Sequence, residues 1–157
     1  MTINMIEASK ITWQWLTFNE LTPHHMQAMF ALRQNVFIVE QDCPYPDIDG
    51  QDEVAHHLLG WNGDELIATL RVFESYKSYD NNASIGRICT HESVRKLGFG
   101  KIIVLKAIDF ITNDLQRSSI QIGAQFYLKR FYQTFGFKQI SDIYDEDGID
   151  HILMLKK

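Results

Sequence analysis

The spacing of apolar and polar positions changes along the chain, and each spacing predicts a different kind of element. Alternating or short apolar runs bounded by turn residues predict strands at 11–18, 56–61, 65–73, 84–90, 119–123, 137–144 and 149–155. Apolar residues at helical spacing predict helices at 22–39, 99–115 and 127–135. The polar segments at 40–54 and 74–83 predict loops.

Turn and capping residues indicate where these elements begin and end. Thr22 followed by Pro23 predicts a helix start, with Thr as the N-cap and Pro at the first helical position. Gly136 supplies a left-handed C-cap for the third helix, and Asn62-Gly63-Asp64 is typical of a hairpin turn. In the predicted order β-α-β-β-β-α-β-α-β-β, strands and helices neither alternate regularly nor fall into separate parts of the chain. It therefore predicts an α/β fold, with a mixed central sheet flanked by helices on both faces.

Length and composition predict a single domain over residues 1–157. A hydrophobic content of 45% and ten Phe residues favour a folded core over a disordered chain. The longest apolar runs fall well short of the roughly 18 residues that a membrane span needs. The first ten residues lack the basic flank and apolar core of a signal peptide, and two cysteines make no disulfide framework. These features predict a cytoplasmic protein with no membrane partner.

The distribution of charge narrows the class of ligand. A net charge of −5 argues against a nucleic-acid partner. Residues 84–106 nevertheless form a basic patch, with five Lys or Arg residues and one acidic residue. Such a patch suits one anionic ligand. The segments 40–53 and 142–150 hold six and five acids respectively and no Lys or Arg. Each acidic run is either solvated surface or a feature that attracts a cation.

The run Val94-Arg95-Lys96-Leu97-Gly98-Phe99-Gly100-Lys101 lies between a predicted strand and a predicted helix. Backbone N–H groups at a helix N-terminus are unpaired and favour an anion, and glycine lets the anion approach closely. A phosphate is therefore the simplest ligand. A Walker A loop would need Gly at position 95, and a dinucleotide motif would need Gly at position 103; the chain has Arg and Ile there.

Two motifs resemble those of a known family. Arg95-x-x-Gly98-x-Gly100 resembles the acetyl-CoA pyrophosphate loop of the GCN5-related N-acetyltransferases, the GNAT superfamily. Residues 125–137 resemble the second GNAT motif, an amide residue after a strand and then a helix that ends in Tyr-x-x-x-Gly-Phe. The amide here is Gln125, where the family usually has Asn, and the motif closes with Tyr132 and Gly136-Phe137. The two motifs stand in the family's order, each in a strand–helix context.

A narrower resemblance is to the ElaA-type branch of GNATs, whose members are mostly predicted acyltransferases. It rests on Arg33-x-x-Val36-Phe37-x-Val39-Glu40-Gln41, Cys43-Pro44-Tyr45, Asp47-Ile48-Asp49-Gly50 and Gly123-Ala124-Gln125. The Arg-x-x-Val-Phe feature is also similar to acyl-homoserine-lactone synthases, which share the fold. The resemblance supports an enzyme class and names no substrate.

The resemblance implies a binding site for acetyl-CoA as cosubstrate and no metal. The loop amides would hold the pyrophosphate, basic side chains would add charge there, and the preceding strand would run beside the pantetheine as an added strand does. The positions implied are Ile88, Cys89, Thr90, Arg95, Lys96, Leu97, Gly98, Phe99, Gly100, Lys101 and Gln125.

The catalytic groups implied by the resemblance are Ile88 and Tyr132. The backbone N–H of Ile88 would polarise the thioester carbonyl, and Tyr132 would give a proton to the departing sulfur. The alternative for Tyr132 is a core tyrosine. The general base stays open among Glu40, Glu92, His151 and a chain of waters.

The predicted activity is direct transfer of the acetyl group from acetyl-CoA to a primary amine on a small molecule or a peptide. If the acidic runs flank the acceptor side, that amine is cationic. Cys89 could in principle carry the acetyl group as a covalent intermediate, but direct transfer needs no covalent step. Two other functions stay open: a catalytically silent CoA-binding module, and an enzyme of the acyl-homoserine-lactone-synthase type. The oligomeric state is also open, with a homodimer as one arrangement.

Overall fold

The computed structural model describes residues 6–157, and its elements follow the predicted order. The strands are β1 (Thr12–Thr17), β2 (His56–Asn62), β3 (Glu65–Tyr76), β4 (Asn82–Thr90), β5 (Ile120–Gln125), β6 (Lys138–Gln139), β7 (Tyr144–Glu146) and β8 (Ile149–Lys156). The helices are α1 (Pro23–Arg33), α2 (Phe99–Asp109) and α3 (Lys129–Gln133). α1 and α2 continue as π-helical turns at Gln34–Glu40 and Phe110–Asp114, so their predicted lengths are confirmed. Within residues 6–157, no helix is long and apolar enough to cross a membrane.

The eight strands form a mixed sheet in the order β1-β2-β3-β4-β5-β8-β6, with β7 also paired to β8. Only the β4–β5 pair is parallel among the pairings of the described strands. α1 covers one face, where Met29 and Leu32 share an apolar cluster with Leu59. α2 covers the other face, where Ile103 packs in the cluster that contains Leu58. The predicted mixed sheet with helices on both faces is confirmed.

The predicted helix ends are also confirmed by hydrogen bonds and backbone angles. The Oγ1 of Thr22 accepts a hydrogen bond from the N–H of His25 at 3.2 Å, as an N-cap does. Gly136 adopts φ +90° after α3, a conformation that a side chain disfavours. On α2, Val104 and Ile111 are fully buried, so the predicted apolar face is the one that packs on the sheet.

Three predicted boundaries are wrong. The third helix, predicted at 127–135, is shorter: α3 spans Lys129–Gln133 and follows a 3-10 turn at Phe126–Leu128. The loop predicted at 74–83 is shorter, because β3 continues to Tyr76. The ring of Tyr76 stacks on that of Phe73, with 4.9 Å between the ring centroids. The strand predicted at 137–144 is broken into β6 and β7. At the break, the N–H of Leu153 donates to Oγ of Ser141 at 2.8 Å, so a side chain replaces a backbone acceptor in the ladder.

The pairing between β4 and β5 is limited to one position. Ala83 lies opposite Ile120, and the N–H of Ala83 donates to the carbonyl of Ser119 at 3.2 Å. Beyond that point the two parallel strands diverge, and the rest of β4 has no partner in β5. The sheet is therefore two half-sheets joined at one end, with an opening between them.

A buried group of charges fastens the loop after α1 to the sheet. This arginine–aspartate network consists of Arg33, Arg71, Arg87, Asp47, Asp49 and Asp52. Arg33 is 1% exposed and donates to Asp47 at 2.9 Å and to Asp52 at 2.7 Å. Arg71 donates to Asp49 at 2.6 Å. His57 lies beneath the loop, with Nε2 2.9 Å from the carbonyl of Asp52, which makes it a structural histidine.

The network predicts an acid-sensitive fold. Burial raises the pKa of Asp49 and Asp52, but hydrogen bonds from arginines outweigh it, so both pKa values are lowered. A lowered pKa contributes stability that is complete above the unfolded value of about 3.9 and is lost as the pH falls through the folded value. We expect the free energy of unfolding, from urea titrations, to be nearly constant from pH 7 to 5 and to fall below about pH 4. Asp49→Asn should be less stable at pH 7 and should flatten the acid slope; an unchanged slope in Asp49→Asn contradicts this assignment.

Candidate active site

The opening between β4 and β5 forms a cleft of about 820 Å³. Its walls are the diverging strands, and its rim comes from the end of α1, from α3 and its lead-in turn, and from the β7–β8 hairpin. Both polar and apolar groups line it. The cleft brings the two sequence motifs together, because Gly100 and Tyr132 both border it.

On the β4 wall, the strand contains a β-bulge. Thr69 faces Cys89 and Arg71 faces Gly86, so two steps along β3 match three steps along β4. Arg87 lies in this interval with φ +51°, in the left-handed region that a non-glycine residue rarely adopts. A bulge leaves backbone groups unpaired and redirects them. Here it lies directly before Ile88, which lines the cleft.

The arginine–aspartate network holds this bulge in place. The Nε of Arg87 lies 2.7 Å from Oδ1 of Asp47, and Nη2 donates to the carbonyl of Asp47 at 3.0 Å. The Arg87 guanidinium also lies over the ring of Tyr45, 5.5 Å from its centroid. The loop after α1 therefore fixes the strained residue next to Ile88.

At the end of the cleft, α2 begins with unpaired amides. Gly98 has φ +84° and precedes the helix, and the first helical bond runs from the N–H of Ile102 to the carbonyl of Gly98 at 3.2 Å. The N–H groups of residues 99–101 therefore have no partner inside the helix. A Cβ on Gly100 would meet only the Phe131 ring at 3.9 Å, so this position has room for a small side chain.

The structure brings together most of the residues implied by the resemblance. Those that line the cleft are Ile88, Cys89, Thr90, Arg95, Gly100, Gln125 and Tyr132. Lys96, Leu97, Gly98 and Lys101 lie in or beside the turn that enters α2, outside the cleft lining. Phe99 is 2% exposed and packs in the apolar core, so only its backbone is available to a ligand.

The end of α1 contacts both arms of the cleft. Nη2 of Arg95 lies 2.7 Å from Oε2 of Glu40. Nε2 of Gln125 donates to Oε1 of Gln41 at 3.4 Å. These contacts join residues 55 and 84 positions apart in sequence, and all four residues line the cleft. An anion that binds Arg95 would compete with Glu40.

Tyr132 lies at the boundary between cleft and core. Its side chain is 7% exposed, and the rings of Phe131 and Phe137 pack edge-on against it at 5.1 and 6.0 Å. Burial raises the pKa of Tyr132 well above its usual range, with a smaller effect from Tyr127. The hydroxyl therefore keeps its proton at neutral pH and is a donor, not a base.

Cys89 has the properties of a structural residue. It is 4% exposed, and burial raises its pKa to about 12. The thiolate is the nucleophilic form of cysteine, and such a pKa leaves almost none of it at neutral pH. A covalent acetyl carrier at Cys89 is disfavoured.

The β7–β8 hairpin places a group in the cleft that the sequence did not single out as a cluster. Glu146 and His151 line the cleft and lie 3.0 Å apart, from Oε2 to Nε2. Beside them, the hydroxyls of Tyr79 and Tyr144 approach Gly123 of β5, where a Cβ would lie 2.9 and 3.1 Å from them. The sequence offered one sign of this group: Tyr76 and Tyr79 stand in an otherwise polar segment, where aromatic side chains suggest packing against another part of the protein.

Comparison with known proteins identifies the family of this chain. The family model described as Acetyltransferase (GNAT) domain matches residues 22–157. The chain belongs to the GNAT acetyltransferase family. Protein ElaA of Escherichia coli strain K12 is 39% identical over 149 residues, which cover 94% of this chain and 97% of that protein. A UPF0039 protein of Synechocystis is 40% identical over 147 residues, which cover 93% and 95% of the two chains.

Solved structures agree with this family. The crystal structure of E. coli ElaA matches with a TM-score of 0.85 at 37% identity, over 94% of this chain and 99% of that chain. An acyl-CoA N-acyltransferase from Pseudomonas aeruginosa matches with a TM-score of 0.88 at 31% identity, over the same shares of the two chains. The predicted GNAT fold, the ElaA-type branch and the enzyme class are confirmed.

The two acidic runs of this GNAT domain differ from each other. In the first run, Asp47, Asp49 and Asp52 are neutralised by arginines, and Glu40 is paired with Arg95. These four acids are therefore already paired with arginines, whereas the acids of the second run are exposed, as the solvated-surface interpretation expected. The two runs do meet, because Sγ of Cys43 donates to the carbonyl of Asp147 at 3.6 Å. The acids of the second run that border the cleft are Glu146 and Asp147.

Proposed function

We propose that this GNAT protein transfers the acetyl group of acetyl-CoA directly to a primary amine on a small molecule or a peptide. The observation that carries the proposal is the cleft between the diverging strands. It combines a bulge in β4, the protonated hydroxyl of Tyr132 and the unpaired amides at the start of α2 in one opening.

The residues around the cleft fit the chemical parts of acetyl-CoA. The N–H groups of residues 99–101 and the dipole of α2 suit a pyrophosphate. Arg95, Lys96 and Lys101 are the cations nearest to that turn in the sequence. The unpaired stretch of β4 offers backbone groups to the amides of a pantetheine arm, much as a sheet edge accepts a strand.

The chemistry assigned to the chain needs two groups at the thioester. The N–H of Ile88, beside the bulge, donates to the carbonyl oxygen as negative charge develops there. The amine nitrogen bonds to the carbonyl carbon and the carbon–sulfur bond breaks. Tyr132 gives its proton to the sulfur and recovers one from solvent.

The test is turnover of acetyl-CoA by the whole chain across a panel of cationic and neutral primary amines, followed by thiol release and by the mass of the acetylated product. Product with at least one amine supports the proposal. Binding of acetyl-CoA without product from any amine would favour the silent CoA-binding module. Turnover that requires an acyl-carrier-protein thioester would favour the acyl-homoserine-lactone-synthase type.

The pyrophosphate placement gives a separate prediction. Gly100→Val should weaken acetyl-CoA binding at least tenfold in calorimetry, about 1.4 kcal/mol, because its side chain fills the space beside the helix amides. The fold should be retained, since a Cβ there meets only the Phe131 ring at an ordinary contact distance.

Leu105→Val is the matched control for this experiment. Leu105 is exposed on the same helix, so the change tests the effect of a β-branched residue on α2 without touching the cleft. It should bind acetyl-CoA as the unaltered protein does. Unchanged affinity in Gly100→Val would move the pyrophosphate away from this turn.

A further inference from the structure

Arg87 has an unfavourable backbone conformation directly before the residue assigned to the thioester carbonyl. In the register between β3 and β4, Arg87 and Ile88 lie opposite the single residue Leu70. Arg87 has φ +51°. Arginine has neither the freedom of glycine nor the short polar side chain with which Asn and Asp stabilise this conformation locally. A contact elsewhere in the protein must therefore keep the backbone there.

The side chain of Arg87 supplies that contact, and the group that it binds is itself fixed. Nε of Arg87 lies 2.7 Å from Oδ1 of Asp47, and Nη2 donates to the carbonyl of Asp47 at 3.0 Å. Asp47 is 5% exposed, and its Oδ2 accepts a hydrogen bond from Nε of Arg33 at 2.9 Å. The hydroxyl of Tyr45 donates to Oδ1 of Asp47 at 3.2 Å. The Arg87 guanidinium is thus bound to groups that cannot follow it.

The backbone angles of Arg87 decide the direction of the Ile88 N–H, because one rigid peptide plane joins the two residues. If Arg87 relaxed to the extended conformation of a regular strand, this plane would turn and the N–H would turn with it. A donor that stabilises a developing oxyanion must lie about 2.7–3.1 Å from that oxygen. A displacement of about 1 Å at such a group can lower the rate about 100-fold.

We propose that Arg87 is a positioning residue, whose anchored side chain holds the bulge of β4 in the conformation that aims the Ile88 N–H at the thioester carbonyl. The inference rests on the proposed function. Arg87 neither carries a proton nor contacts the bond that breaks. Its loss should therefore raise the barrier to transfer and leave the remaining contacts of acetyl-CoA in place.

This role can be separated from a role in stability, because other arginines fasten the same loop. Arg87 is the most exposed arginine of the arginine–aspartate network, with 23% of its side chain accessible, compared with 1% for Arg33 and 5% for Arg71. Arg33 and Arg71 both bind Asp52. They continue to hold the loop against the sheet when Arg87 is replaced, so variants at this position should remain folded.

The experiment compares Arg87→Met, Arg87→Gly and Arg87→Lys with the unaltered protein by acetyl-transfer kinetics, calorimetry with acetyl-CoA and melting temperature. Arg87→Met should lower kcat about 100-fold and keep the affinity for acetyl-CoA within about threefold. Arg87→Gly tolerates the left-handed conformation but lacks the anchor, so kcat should fall although the melting temperature is retained. Arg87→Lys keeps the charge without the planar fork, and should recover part of kcat.

Gln116→Gly is the matched control for Arg87→Gly. Gln116 has φ +54°, so the change relieves the same backbone conformation, but the residue is exposed and lies outside the cleft lining. Gln116→Gly should keep the kcat of the unaltered protein.

The amide resonance of Ile88 gives a readout that needs no acceptor amine. In isotope-labelled protein, acetyl-CoA should shift the Ile88 amide proton downfield relative to CoA, because only acetyl-CoA has the thioester carbonyl. Arg87→Met should lose this difference while it still binds acetyl-CoA.

An Arg87→Met protein whose kcat is within threefold of the unaltered one overturns the proposal, and so does an Ile88 amide difference that survives in this variant. A loss of activity that only follows the folded fraction also overturns it, since this indicates a role in stability. If the unaltered protein acetylates no amine, the proposed function itself fails, and the amide comparison alone decides the role of Arg87.

Discussion

Replacing Tyr132 by Phe should lower kcat about 100-fold, with little change in KM or in melting temperature. The substitution keeps the ring that packs against Phe131 and Phe137 and removes only the hydroxyl. The departing CoA thiolate then leaves without a proton. General acid catalysis contributes about 100- to 10,000-fold, and a thiolate is a good leaving group, so the lower end is expected.

If Tyr132 only packs in the core, the opposite result is expected for Tyr132→Phe. The variant would then have a lower melting temperature, and its folded fraction would keep a nearly unchanged kcat. Kinetics and thermal unfolding on the same sample separate these outcomes. Tyr127→Phe removes a hydroxyl five residues earlier, from a side chain that borders the cleft and is 73% exposed, and should stay within twofold of the unaltered protein. A folded Tyr132→Phe with full kcat would exclude Tyr132 from the mechanism.

The largest effect on stability is expected for Arg33→Met. Methionine fills much of the volume but leaves Asp47 and Asp52 without the guanidinium that binds both. Removing one partner of a buried ion pair costs about 3–5 kcal/mol, because the remaining charge is uncompensated. Urea unfolding at pH 7 measures this loss, and acetyl-CoA turnover at permissive temperature measures its effect on the site.

Arg117→Met is the control for Arg33→Met. Arg117 is a half-buried arginine outside the network that donates to the carbonyl of Asn81 at 2.8 Å, and its loss should change the free energy of unfolding by less than about 1 kcal/mol. Equal effects in the two variants would mean that burial of the Arg33 network contributes nothing specific. An Arg33→Met protein that stays within 1 kcal/mol of the unaltered one would do the same.

The features that could be predicted correctly from the sequence depend on residues close together along the chain. Helix spacing, the Thr22 N-cap and the Gly136 C-cap are local, and all three are confirmed. The two GNAT motifs are also local, and the family model supports the class they indicated. The boundary errors arose where a distant partner decided the structure, as where Ser141 replaces a backbone acceptor opposite Leu153.

The geometry of the site depends on contacts that no local pattern encodes. The partners of Asp49 lie 22 and 38 residues away, at Arg71 and Arg87, so the acidic run could not be recognised as half of a buried network. The bulge in β4 depends on its register with β3, and periodicity along β4 alone does not reveal it. The pairing of Glu146 with His151 requires the hairpin to close, and the sequence offered His151 only as one of several bases.

The divergence of β4 and β5 leaves two strand edges facing each other in the interior of the molecule. An unpaired edge is a template on which another chain can add a strand and begin to aggregate. These two edges form the walls of the cleft, and the residues at the end of α1 that contact both arms also line it. The same geometry that leaves the sheet incomplete thus places its two unpaired edges within the cleft and not along the outer border of the sheet.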